Sequence, residues 1–107
     1  GKNVWAAQPR KWSTAAIAQD GKGRILFVHS RSPYSVHELN ELLLKLQLGI
    51  SRAMYLEGGP EASLHLVTPG GPVRRTGSFE TGFFESDGND HYWELPNVLG
   101  VRRPKTP

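Results

Sequence analysis

Cysteine is absent from the 107 residues, which excludes a disulfide framework, a thiolate zinc site and a cysteine nucleophile. It does not select a compartment. Long apolar runs are missing too, since none approaches the roughly 20 residues that span a bilayer. The opening Gly1-Lys2-Asn3-Val4-Trp5 has no signal-peptide core and begins without Met, so it reads as a processed or cut end. There is no long basic stripe. The 13 Lys plus Arg exceed the 10 Asp plus Glu by a formal +3, and the excess gathers in Arg74, Arg75, Arg102, Arg103 and Lys105, which disfavours nucleic acid as a partner. His29, His37, His65 and His91 lack metal-ligand spacing, so no metal or other cofactor is expected.

What is present fits one small domain over residues 1–107. Residues 13–29 read as a hairpin: Ala15 to Ala18 form an apolar run, Asp20-Gly21-Lys22-Gly23 is turn chemistry, and Ile25 to Val28 is a β-prone run expected to be buried. Ser35-Val36-His37-Glu38 has capping-box spacing, so a helix is predicted from about Val36. Its apolar face is Leu39, Leu42, Leu43 and Leu46, with Gly49 as the stop. A strand over Ala53 to Leu56 follows. Strand, helix, strand is the order of a crossover, which sets Arg24 to Val28 parallel to Arg52 to Leu56 in one sheet.

Such a crossover puts both carboxyl ends at one edge, where open α/β sheets bind ligands. One loop there is expected to carry Ser30, Arg31 and Ser32, and the other Glu57, Gly58 and Gly59. Residues 62–67 alternate like a strand that Thr68 to Pro72 breaks. Residues 73–94 read as a long loop pinned by Phe79, Phe83, Phe84, Tyr92 and Trp93, and Leu95 to Val101 as an edge strand, with a disordered tail beyond. The expected class is α/β (α+β): a mixed sheet of about five strands with one main crossover helix.

Glu57-Gly58-Gly59-Pro60-Glu61-Ala62-Ser63 is the most informative stretch. Paired glycines let backbone N–H groups approach a ligand, with two carboxylates and a hydroxyl around them. By spacing alone the favoured reading is the plainer one, a tight turn with Glu57 and Glu61 solvated. Arg31, just past a strand, has the planar fork that grips phosphate or carboxylate, and its bland alternative is a surface ion pair. His29 is the histidine nearest this edge, although a core histidine bonded to backbone is the commoner outcome. Glu80, Glu85, Asp87 and Asp90 are candidate second carboxylates, or solvated loop charges. Trp12 and Trp93 could stack on a sugar or base, or simply pack.

The Ala15 to Ala18 run, the Ile25 to Arg31 strand, the Ser35 to Leu46 helix, Arg52 to Leu64 with its Glu57-Gly58-Gly59 core, and Pro96 to Val101 together resemble the phosphodiester glycosidase domain family. The likeness covers most of this chain and the C-terminal half of the family domain. It implies hydrolysis of the glycosidic bond in a sugar-1-phosphodiester, with Glu57 and Arg31 catalytic and Gly58, Gly59 and Ser63 binding substrate; Ser32 and His29 join the substrate-binding candidates by their place at the same sheet edge. Three departures stand out. The acidic position is commonly Asp in the family and is Glu57 here. A family Arg falls near Thr14, leaving Arg10 or Lys11 to replace it. An earlier asparagine-alanine-glycine-aromatic segment is missing, which predicts a need for an N-terminal portion, a partner or a second copy. The resemblance also suggests export. Two other readings are a non-catalytic anion- or glycan-binding module of the same fold and, ranked last, a small RNA-binding domain.

Overall fold

The computed structural model describes residues 2–7, 9–80 and 88–105, with backbone alone at 79–80. Its elements are β1 (Lys11–Asp20), β2 (Ile25–Tyr34), α1 (Val36–Lys45), β3 (Ile50–Gly58), a 3-10 turn at Gly59–Glu61, β4 (Leu64–Thr68), β5 (Gly71–Arg75) and the two-residue β6 (Phe79–Glu80). The class is mixed α+β, as expected. β1 is central: β2 and β3 flank it and β6 pairs with its first residues, while β4 and β5 form a separate hairpin.

The β1–β2 hairpin closes at Asp20. Its Oδ1 accepts from the Lys22 and Arg24 backbone N–H groups at 2.9 Å, and its Oδ2 takes the Arg24 guanidinium at 2.6 Å. That guanidinium bond is the main cause that holds the Asp20 carboxyl below its ordinary range. The helix begins where the sequence places it. Ser35 Oγ accepts from Glu38 N at 3.1 Å, and Glu38 Oε2 accepts from Ser35 N at 2.9 Å, which satisfies two of the otherwise unpaired groups at a helix start. The stop differs from expectation: α1 ends with Leu46 as its cap and Gln47, two residues after Lys45, takes the left-handed turn (φ 53°) before Gly49 is reached.

β2 and β3 run parallel, with β1 inserted between them, so every hydrogen-bonded pair is antiparallel. Val36, Leu39 and Leu43 of α1 are buried on the sheet side that carries Thr14, Ala16 and Ala18. Alanine at two of these positions leaves room for the helix to come close.

The opposite side is open. Ile17 pairs in register with Phe27 and Met54, and Phe27 and Met54 are exposed. The Ile25 to Val28 run is therefore not buried: β2 is an edge strand with one uncovered face. The chain exposes 8232 Å², against about 5,900 Å² for a compact 11.9 kDa monomer.

Further corrections follow from pairing. Ser30, Arg31 and Ser32 lie inside β2, which runs on to Tyr34, because Pro33 costs no ladder bond on an edge strand. Glu57 and Gly58 likewise belong to β3, not to a loop. The strand does break at Thr68, as expected, but the chain turns straight back so that Val67 pairs with Pro72, and β5 occupies residues assigned to a long loop. Residues 95–101 form no strand and pair with none among the described residues; Val98, Leu99 and Val101 are exposed. Phe83, Phe84, Glu85 and Asp87 lie outside the described residues, as do the side chains of Phe79 and Glu80.

Candidate functional site

The register sets the two polar strand ends side by side. Ser30, Thr14 and Gly58 form one row across β2, β1 and β3, and His29, Ala15 and Glu57 form the next. With strands about 4.8 Å apart, residues two strands apart in a row lie roughly 10 Å apart. An extra residue, Leu56, interrupts the β1–β3 ladder between Ala15 and Ala16.

Glu57 is exposed, and its Oε1 accepts from the Gly58 N–H at 3.1 Å. Gly59 then turns with φ 74°, a conformation that a β carbon disfavours. Gly59 and Pro60 are buried. Gly77 packs so tightly over this turn that a β carbon on it would collide with the Gly59 and Ala62 carbonyl oxygens. The 76–78 segment is further tied down by Ser13, whose Oγ accepts from Ser78 N at 2.9 Å.

His29 reaches the same corner, with Nε2 2.8 Å from the Ala62 carbonyl oxygen. Burial holds its imidazole below the ordinary 6.5; Arg31 and Arg75 push the same way, and the Ala62 bond opposes them. The ring is neutral at pH 7 and donates its Nε2 proton to that carbonyl. Arg31 sits two residues on, its guanidinium donating to Thr76 O at 2.8 Å and to Thr76 Oγ1. Ser63 is half-buried with its hydroxyl buried and unpartnered among the described residues.

The structure thus gathers Glu57, Gly58, Gly59, His29 and Arg31 around the turn at Gly59–Ala62. Ser32 is exposed, its carbonyl accepting from Ser30 Oγ at 3.0 Å, and no hydrogen bond ties its side chain to the others among the described residues. Asp90 is solvated and paired loosely with His91. Tyr92 is an anchor as expected: its hydroxyl donates to Leu64 O at 2.8 Å, and Arg74 stacks over its ring. Trp93 is exposed.

Several residues here escaped sequence reasoning. Arg75 acts on His29, a proximity that the β4–β5 hairpin creates. On the helix side of the sheet, Trp12 and Tyr55 crowd Gly58 so closely that a β carbon there would strike the indole nitrogen and the phenol oxygen. Burial raises the Tyr55 pKa above its usual value, and Glu57 and Glu61 add to the rise, so the hydroxyl stays a proton donor. Alternation would have put Tyr55 on Ala16's side, but not against Trp12. Among the described residues, no group of three or more His, Asp or Glu could hold a metal ion, and no helix is long and apolar enough to cross a membrane.

The molecule is an α+β domain in which β2 and β3, pointing the same way on either side of β1, deliver polar termini to one edge of an antiparallel sheet. The family model for phosphodiester glycosidase matches residues 1–102, and the chain belongs to that family. No curated protein and no solved structure matches the chain.

Proposed function

We propose that the chain hydrolyses the glycosidic bond of a sugar-1-phosphodiester, with the corner at Glu57-Gly58-Gly59 as its reacting edge. The observation that carries this reading is the convergence of that corner with His29 and Arg31 in a member of the phosphodiester glycosidase family. In the reaction, water attacks the anomeric carbon and gives its proton to the Glu57 carboxylate. The bond from that carbon to the phosphate oxygen breaks, and its electron pair leaves with the phosphate, giving free sugar and a phosphomonoester. Charge builds on the phosphate as the bond breaks, which is what the Arg31 guanidinium and the backbone N–H groups at Gly58 and Gly59 would stabilise. Ser63 would donate to the phosphate or to Glu57. A phosphate is a good leaving group, so no strong general acid is required. The uncovered sheet face supports a need for further polypeptide, from an N-terminal portion or a second copy, and export follows from the family resemblance alone.

A second reading is a binding module without turnover, favoured by the solvent exposure of Glu57 and the engagement of Arg31 by Thr76. The test measures sugar release from N-acetylglucosamine-1-phosphodiester together with affinity for the same compound. Release that falls at least about 100-fold in Glu57→Gln and in Arg31→Ala supports hydrolysis with those roles. Affinity without release, in both the 107-residue chain and a longer or two-chain form, establishes the binding module instead.

A further inference from the structure

The β4–β5 hairpin brings one more cation to the corner. Leu64 pairs in register with Arg75, and His65 with Arg74; successive strand residues point to opposite faces. Arg74 lies over the Tyr92 ring, its Cζ 5.1 Å from the ring centre. Arg75 therefore belongs to the other face of the hairpin. Its neighbours fix what lies beside it. Thr76, the next residue, accepts the Arg31 guanidinium through its carbonyl oxygen at 2.8 Å and through its hydroxyl. Ala62, two residues before Leu64, accepts His29 Nε2 through its carbonyl oxygen at 2.8 Å. Arg75 is set beside the contacts that anchor both, and its charge reaches the His29 imidazole.

Arg31 and Arg75 are not equivalent. Arg31 is half-buried and its Nη1 is committed to Thr76. Arg75 is exposed; its Nη1 donates to the Arg74 carbonyl oxygen at 3.0 Å, and no carboxylate pairs with it among the described residues. A guanidinium presents its N–H donors as a planar fork that matches phosphate oxygens in pairs, so most of this fork remains for an incoming anion. Lys11 is already paired, its Nζ 3.2 Å from Glu38 Oε1. Positive groups held close together repel, and an anion placed among them relieves that repulsion.

We infer that Arg75 is a second phosphate-binding residue of this corner, gripping the nonbridging oxygens of the substrate's phosphate from the hairpin while Arg31 meets the same group from the sheet. The inference rests on the reading of the corner as a sugar-1-phosphodiester site, and it makes the β4–β5 hairpin part of the binding surface. An exposed fork captures the anion in the ground state as well as in the transition state, so loss of Arg75 raises KM more than it lowers kcat.

The test measures the affinity of the 107-residue chain for N-acetylglucosamine-1-phosphate and for its neutral counterpart, methyl N-acetylglucosaminide, by calorimetry. Arg75→Gln is expected to weaken the phosphate compound about five- to tenfold and to leave the neutral glycoside unchanged. Arg75→Lys keeps the charge and loses the fork, and weakens the phosphate compound about two- to threefold. Arg74→Gln removes the same charge one residue away and should change neither affinity by more than about twofold, which separates a contact from general attraction. Because Arg75 is exposed, its substitution leaves the core undisturbed. An NMR pH titration gives a second readout: the His29 pKa rises in Arg75→Gln because a neighbouring positive charge is gone. Equal affinity of the parent and Arg75→Gln for the phosphate compound overturns the inference. So do equal losses in Arg74→Gln and Arg75→Gln, or a parent chain that does not prefer the phosphate compound to the neutral glycoside. Sugar release assayed in the same variants keeps the two readings apart. Release with an unchanged KM in Arg75→Gln removes Arg75 and leaves hydrolysis standing, whereas Arg75-dependent affinity without release sustains Arg75 and removes hydrolysis.

Discussion

The two sides of one sheet show how little hydrophobicity alone decides burial. On the helix side, Ala16 and Ala18 are 7% and 3% exposed, although each is a small side chain. On the other, Phe27 and Met54 are 43% and 60% exposed. All four belong to adjacent rows of the same ladder. The difference is what lies across from them: α1 covers one side, while the 3-10 turn and the 76–78 segment cover only the end of the other. Full burial of a Phe or Met side chain stabilises by about 1.5–3 kcal/mol, and that gain is unrealised on the open side.

Substitutions on each side should separate accordingly. Leu39→Ala, under the helix, is expected to destabilise the chain by about 2–4 kcal/mol through the space it leaves; urea unfolding measures it. Ser35→Ala removes one half of the reciprocal cap and should cost about 1 kcal/mol by the same measurement. Acidification gives a graded loss. His29 has a lowered folded pKa, so the unfolded chain binds a proton more readily; stability is fully present above about pH 6.5 and declines as pH falls toward the folded value. Asp20 and Glu38, both lowered, add their own loss as pH falls through and below the ordinary carboxylate range. Melting temperatures of the parent chain and His29→Gln between pH 5 and 7.5 check the first step, which the variant should lack. Phe27→Ser, on the open side, should change unfolding free energy by no more than about 0.5 kcal/mol. A loss as large as that of Leu39→Ala would mean that the open side is covered in solution.

Local signals were legible and pairing was not. Ser35 and Glu38 announce the helix because a capping box acts within four residues, and Asp20-Gly21 announces the hairpin for the same reason. The parallel relation of β2 and β3 followed from element order. By contrast, Leu95 to Val101 has the composition of a strand and none of the structure, since a strand exists only through its neighbour. Gly70-Gly71 marked a turn correctly, but nothing local said that Val73 and Leu66 would meet across it. At the candidate site, Glu57-Gly58-Gly59 and Arg31 were readable from composition and resemblance. Thr76, Gly77, Arg75 and the Trp12–Tyr55 pair around Gly58 come from distant parts of the chain, and no pattern in the sequence links them.

Leu56 is the extra residue in the β1–β3 ladder. Counted straight from Ala16 opposite Tyr55, position 57 would fall opposite Thr14, beneath the helix. The irregularity resets the parity of the strand, so the carboxylate emerges opposite Ala15 instead, on the side that holds His29. Which half-space the acid serves is therefore encoded by a miscount in the weave. Relatives that keep the Glu-Gly-Gly letters but lack the added residue upstream would share the motif while aiming its acid through the other side of the fabric.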